Sequence, residues 1–269
     1  MRNFKFKKLI VHDGQAHRDD FLAACLAAGL NSSLVIERRE PQESDFEDPE
    51  VLILDVGMRV EPEKGNFDHH VDGVKTSFSW LNEEFDLGLE EESWYEASIL
   101  LDNRGPFALG KELSVSPDSM KALLSPVEQA MLALFGRAKE IKEGDHLFSI
   151  MREIGLSLIK SGEMRKDLYK KWGSCSSVQE MDGARFLIIK EISHPKMVDF
   201  AKRFGEIDAI VSINFRTKTI ELKRLNDSPK INGLKIQESC SFVHKTGFLA
   251  VLKTDNFEEA MKIIKGAIV

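Results

Sequence analysis

Residues 8–30 read KLIVHDGQAHRDDFLAACLAAGL, and this stretch decides the fold. Residues 8–11 are a short apolar run ahead of a polar loop, the pattern of a buried strand. Residues 19–30 are rich in Ala and Leu, open on two acids and end near Gly29, the pattern of a helix. Two more apolar runs follow, LVIER at 34–38 and VLILD at 51–55. Strand, helix, strand, strand with short connections predicts an α/β parallel sheet. Chemistry in such sheets gathers at the carboxyl ends of the strands. His12, Asp55 and Asp68 each fall just past an apolar run.

Further along, 76–102 has helical spacing interrupted at Gly88. The stretch 105–117 (GPFALGKELSVSP) carries two Gly and two Pro and reads as a loop. A long helical stretch over 118–172 is broken near Pro126 and Gly144. After Gly173 the pattern changes. Residues 184–190 and 208–214 read as strands, and 218–225 alternate and pair with 208–214 as a hairpin. Residues 247–252 supply another strand and 256–267 an amphipathic helix. The expected architecture is α/β: an N-terminal, mostly parallel sheet flanked by helices over 1–140, a helical linker over 141–177, and a smaller C-terminal α/β domain over 178–269. No internal repeat or low-complexity segment interrupts it.

The totals exclude several classes. With 269 residues the chain is long enough for one large or two moderate cores. A net charge of −7 argues against a broadly basic nucleic-acid coat. The three cysteines, Cys25, Cys175 and Cys240, are odd in number, far apart and form no CxxC pair, which argues against a disulfide framework or a thiolate zinc site. The basic N-terminus leads into an apolar run too short for a signal peptide, and no stretch approaches a membrane span. The expectation is a cytoplasmic protein.

Four clusters carry the chemistry. His12, His17 and Asp19 sit at the first strand-to-helix junction, where Gly14 permits a tight turn. Asp55 ends a strand, Asp68-His69-His70 follows the next apolar run, and Asp102-Asn103 precedes a Gly-Pro turn. Taken singly, each has a plain structural use: Asp19 and Asp20 suit a helix N-terminus, and Asp55 a turn. Together they supply what a pair of divalent ions needs, several anionic oxygens with a few imidazoles. Four of the seven histidines lie in the first seventy residues, beside these acids. Mixed Asp/His ligation without thiolates suits Mn2+, with Mg2+ as a second choice.

The order of these motifs resembles the DHH phosphoesterase superfamily, and within it the melanocyte-proliferating-gene (Myg-type) family. The matching segments are His12–x4–His17–x–Asp19, Ile53-Leu54-Asp55-Val56-Gly57, Phe67-Asp68-His69-His70, Asp102-Asn103 and Phe242-Val243-His244-Lys245-Thr246-Gly247-Phe248. The resemblance implies that His12, His17, Asp19, Asp55, His69 and Asp102 hold two divalent ions, with Asp55 between them. It implies that His70 meets the substrate phosphate, that Asp68 orients the histidines, and that a C-terminal domain presents His244 and the Gly247 backbone to substrate. There are departures. Many superfamily members carry Asp where this chain has His17, although the Myg-type pattern has His. Arg104 stands where Gly is usual and is a further substrate-binding candidate. Ile231-Asn232-Gly233-Leu234 replaces a Trp-Arg-Gly-Leu segment.

The expected function is a metal-dependent phosphoesterase that cuts short RNA or another small phosphodiester with a metal-activated water. A pyrophosphatase or phosphomonoesterase, and a metal- and nucleotide-binding protein without turnover, are the alternatives. The expected partner is a short oligonucleotide or small phosphorylated substrate and no membrane, with a homodimer left open.

Overall fold

Residues 4–71, 75–116, 119 and 125–269 are described by a computed structural model. The chain divides into two units between Met164 and Arg165. The expected α/β class, with an N-terminal parallel-rich sheet and a second sheet in a smaller C-terminal unit, is what the chain forms.

In the first unit, β1 (Lys8–Val11) lies at the centre, with Leu9, Ile10 and Val11 fully buried. β2 (Val35–Arg38) pairs with one side of it and β3 (Val51–Leu54) with the other, both parallel. Three two-residue strands extend the sheet: β4 (Val60–Glu61), β5 (Asn66–Phe67) and β6 (Glu140–Ile141). The strand order is β4-β5-β3-β1-β2-β6. These short strands have no alternation of their own, so only pairing makes them visible.

Side chains alternate across the sheet. Leu9 and Val11 join a core with helix α1 (Arg18–Leu30), whereas Ile10 and Ile53 pack with Phe46 of α2 (Glu43–Glu47). The first of these cores also takes in α3 (Ser77–Glu84), through Phe78 and Leu81.

The helical segment expected over 76–102 with an interruption at Gly88 is two helices on either side of that glycine, α3 and α4 (Tyr95–Glu112). The loop expected over 105–117 is a correction: helix continues to Glu112 across a kink. Gly105, at φ 74° and ψ 176°, ends one helical run, and Pro106 opens the next with its fixed φ and missing N–H. Residue 117, the last of that expected loop, and residues 118 and 120–124, part of the helical stretch expected over 118–172, lie outside the described residues. The rest of that stretch forms α5 (Pro126–Arg137), the strand β6 and α6 (His146–Cys175). The helix α6 occupies most of the expected linker, and its residues enter separate cores, Phe148 and Met151 in the first unit and Tyr169 and Trp172 in the second.

The second unit holds β7 (Ser176–Met181), β8 (Ala184–Ile192), β9 (Ala209–Ile213), β10 (Ile220–Arg224), β11 (Cys240–Val243) and β12 (Leu249–Leu252), in the order β11-β12-β10-β9-β8-β7. The expected hairpin of 208–214 with 218–225 is present as β9–β10. Between β7 and β8, Asp182 and Gly183 both have positive φ (47° and 79°), as a two-residue hairpin turn needs. Strand β8 is buried on both faces. Phe186 packs toward α8 (Phe257–Lys265), and Leu187 and Ile189 toward Phe200 of α7 (Met197–Ala201). None of the helices among the described residues is long and apolar enough to cross a membrane.

Candidate metal centre

Strand register builds the site. Val11 pairs with Leu54, and Leu54 pairs with Phe67, all in parallel strands. The next residue of each strand is therefore His12, Asp55 and Asp68, side by side at the carboxyl ends of three adjacent strands. The Asp55 amide donates to the Phe67 carbonyl at 3.1 Å, which continues the ladder one step. Asp55 itself adopts φ 59°, a left-handed conformation that Asp tolerates better than most residues. Such strain at a strand end is characteristic of functional positions.

The first turn of α1 brings in the acids. Asp19 is buried and accepts the backbone N–H of Ser77 (2.9 Å) and Phe78 (3.0 Å) at the start of α3. Asp20 is completely buried. Its Oδ1 accepts from His17 N (2.8 Å) and Phe21 N (2.7 Å), while Oδ2 lies 3.0 Å from His12 Nε2 and 3.5 Å from Arg38 Nη2. Asp20 thus serves as the helix-start acid its position suggests, and also faces the site.

Two histidines are oriented by acceptors. His12 Nδ1 is 2.6 Å from the Asp13 carbonyl and His69 Nδ1 is 3.0 Å from Asn103 Oδ1. Each oxygen can only accept, so the proton sits on Nδ1 and the neutral ring turns the Nε2 lone pair inward. His69 Nε2 then lies 2.8 Å from Asp55 Oδ1 and 3.2 Å from Asp102 Oδ2. His12 Nε2 lies 3.4 Å from Asp55 Oδ2.

Lone pair facing carboxylate is unfavourable unless a proton or a cation lies between. Without a metal, protons take that place. The Asp20 carboxylate, against some desolvation, raises His12 to about 9. Burial works to lower His69, but the contact with Asp55 and the fields of Asp19 and Asp102 outweigh it and raise it to about 9. Burial, followed by repulsion from Asp102 and Asp55, pushes Asp19 up to about 7. Burial also raises Asp102, with His69 opposing. Two like charges ~4 Å apart repel by about 4 kcal/mol at an effective dielectric of ~20. A cation beside Asp19 and Asp102 would offset this repulsion.

The donors fit divalent ions. Ligand atoms of His12, His17 and Asp55 lie within 4.8 Å of one another, as do those of Asp55, His69 and His70, and those of Asp19, His69 and Asp102. His12 Nε2, Asp20 Oδ2 and Asp55 Oδ1 are buried atoms that make no hydrogen bond among the described residues, and a cation would satisfy them. All six expected ligand residues fall in these groups. His70 Nδ1 is 3.7 Å from Asp55 Oδ1, but Asp68 Oδ1 takes its proton at 2.7 Å. The Asp68 carboxylate also accepts the amides of His70 and Met58. The His70 side chain is 54% exposed.

The remaining candidates are placed as follows. Arg104 is exposed, directly before the α4 kink, and outside these donor groups. His244 and Gly247 belong to the second unit, in the turn between β11 and β12. His244 Nδ1 bonds to Thr246 Oγ1 at 2.9 Å, and Gly247 N donates to the His244 carbonyl at 2.7 Å. Gly247 has φ +69°, and a Cβ there would lie 2.3 Å from Asn232 Oδ1. Asn232 thus closes on the turn from the segment where the Trp-Arg pair is lacking. The partners that sequence reasoning missed are Arg38, 1% exposed beneath Asp20, and the bidentate pair of Arg18 with Glu128, at 2.5 and 3.0 Å. Nothing local announces either pair, because the residues are 18 and 110 positions apart.

A family model, MYG1_exonuc, described as "Uncharacterised protein family (UPF0160)", matches residues 8–85. That span holds the first three motifs, so the Myg-type resemblance is borne out there. Among solved structures, the chain is similar to RecJ in complex with Mn2+ from Thermus thermophilus, at 14% identity and TM-score 0.31, covering 96% of this chain. The chain spans about half of that RecJ chain (51%). It is also similar to a DHH domain described as a member of the s1p family of ribosomal proteins, at 12% identity and TM-score 0.30, covering 97% of this chain and 86% of the other. The search of curated proteins found no match.

Proposed function

We propose that this protein is a metal-dependent phosphoesterase that hydrolyses short RNA or another small phosphodiester. One observation carries the reading. The two oxygens of Asp55 face different donor groups, Oδ2 toward His12 and Oδ1 toward His69. A carboxylate so placed can sit between two cations and offset their repulsion. His12, His17 and Asp55 would hold one ion, and Asp19, Asp55, His69 and Asp102 the other. The all-O/N donor set favours Mn2+, then Mg2+.

Divalent ions held by these residues would supply a water of lowered pKa and offset charge on phosphoryl oxygens. The chain's own groups do the rest. Asn103 fixes the His69 ring, and the Asp13 carbonyl fixes His12. Asp68 orients the His70 ring through Nδ1, which turns Nε2 away from that carboxylate; an N–H at Nε2 would donate to a phosphoryl oxygen. The motif order and the family match over 8–85 support phosphoester rather than peptide chemistry.

The test is a panel run with Mn2+: oligoribonucleotides, cyclic dinucleotides, pyrophosphate and a peptide. Turnover of short RNA that is lost in Asp55→Asn supports the reading. Cleavage of the peptide alone would sink it, and metal binding without any turnover would point to a binding protein.

A further inference from the structure

Beside the metal cleft lies a second cavity of about 510 Å³, walled by α1, α4, α5 and α6. Its wall is apolar, built from Phe21, Leu22, Trp94, Met131, Ile154 and Leu158. Apart from Phe21 these side chains are only half-buried, so they form the rim of the core rather than its interior. The two cavities adjoin: Arg18, Ser98, Glu128 and Leu132 line both, and the cleft is also lined by His17, His69, His70 and Asp102.

The shared rim is polar. Arg18, between the ligands His17 and Asp19 in sequence, grips Glu128 with two hydrogen bonds. Ser98 presents a buried hydroxyl with no hydrogen-bond partner. A purely aliphatic occupant would leave that hydroxyl dry and unpaired, which is unfavourable. A heteroaromatic ring has apolar faces for Trp94 and Leu132 and a hydrogen-bonding edge for the rim.

We propose that this cavity takes the nucleobase adjoining the scissile phosphate, with Ser98 and the Arg18–Glu128 pair reading its edge. The proposal rests on the phosphoesterase reading of the cleft and makes the chain selective for nucleotides over base-free phosphoesters.

The test compares kcat/KM with Mn2+ for a short oligoribonucleotide, its abasic counterpart and an alkyl phosphodiester. Base stacking and edge contacts should favour the nucleotide by about 10-fold or more. Met131→Trp, which fills the cavity, should bring that ratio toward one, and Ser98→Ala should reduce it. Calorimetric Mn2+ binding checks that each variant keeps its fold. Equal rates on the oligoribonucleotide and its abasic form, equal rates on the alkyl ester, or full selectivity in Met131→Trp would each overturn the proposal. If no phosphoester turns over while Mn2+ binds, the phosphoesterase reading fails instead. The cavity is then judged by binding of a nucleoside 5′-monophosphate against ribose 5-phosphate, where tighter nucleotide binding supports it and equal affinities overturn it.

Discussion

Asp20 Oδ2 lies 3.0 Å from His12 Nε2, while Oδ1 of the same carboxylate caps the start of α1. One side chain thus ties helix geometry to the metal centre. Asp20→Asn keeps an oxygen for the two amides but removes the charge facing His12 and Arg38. Metal affinity should fall about 10- to 100-fold, the usual effect of losing such a support. Calorimetry with Mn2+ measures it, and unchanged affinity would show that Asp20 serves the helix alone.

Asp55 is best tested with asparagine. At φ 59°, alanine adds about 1–2 kcal/mol of backbone strain, so a loss in Asp55→Ala mixes folding with ligation. Asp55→Asn retains the conformation and should lose metal-dependent activity and at least one bound ion. Full occupancy of both sites by metal analysis would refute the shared position.

Metal removal should lower thermal stability. Ligand present at ~100 times its Kd stabilises the native state by about 2.7 kcal/mol. A chelator should therefore shift the melting temperature of the wild type downward, and Mn2+ should restore it. Asp55→Asn should show a smaller response to both, and an equal response would count against the site.

Two glycines of α6 should differ in sign. A Cβ at Gly155 would lie 1.8 Å from the Cys25 carbonyl oxygen, backbone that cannot swing away, whereas Gly173 has nothing within 4 Å. Gly155→Ala should destabilise by several kcal/mol or prevent folding, beyond ordinary overpacking of about 1–3 kcal/mol. Gly173→Ala should stabilise by about 0.5–1 kcal/mol. Urea denaturation of both variants decides this.

Acid should weaken the loop that carries α2. Arg39 donates to both oxygens of Asp45 (2.8 and 3.1 Å) and holds that carboxyl below its usual range, against burial. A depressed native value means the stabilisation is complete above the unfolded value of about 3.9 and is lost as pH falls through the native one. The stability difference between wild type and Asp45→Asn should be flat above pH ~5 and shrink in more acidic solution. A difference undiminished at pH ~2 would contradict the pairing.

By itself the sequence determined the parts that depend on neighbours along the chain. Apolar runs at 8–11 and 51–54 specify strands because burial on both faces demands continuous apolar residues. Residues 19–30 specify a helix, observed as Arg18–Leu30, and costly polar groups just past the strand ends specify a site. His12, Asp55 and Asp68 were legible for that reason. Only the tertiary structure decided what depends on register and close approach. The Val11–Leu54–Phe67 register sets those residues in a row, and the fold delivers Asn103 to His69 and Arg38 to Asp20. It carries helix past Gly105, where composition alone reads as loop, and it closes Gly155 onto Cys25 across 130 positions of chain. Such contacts leave no local trace because their energy comes from residues that meet only when the chain has folded.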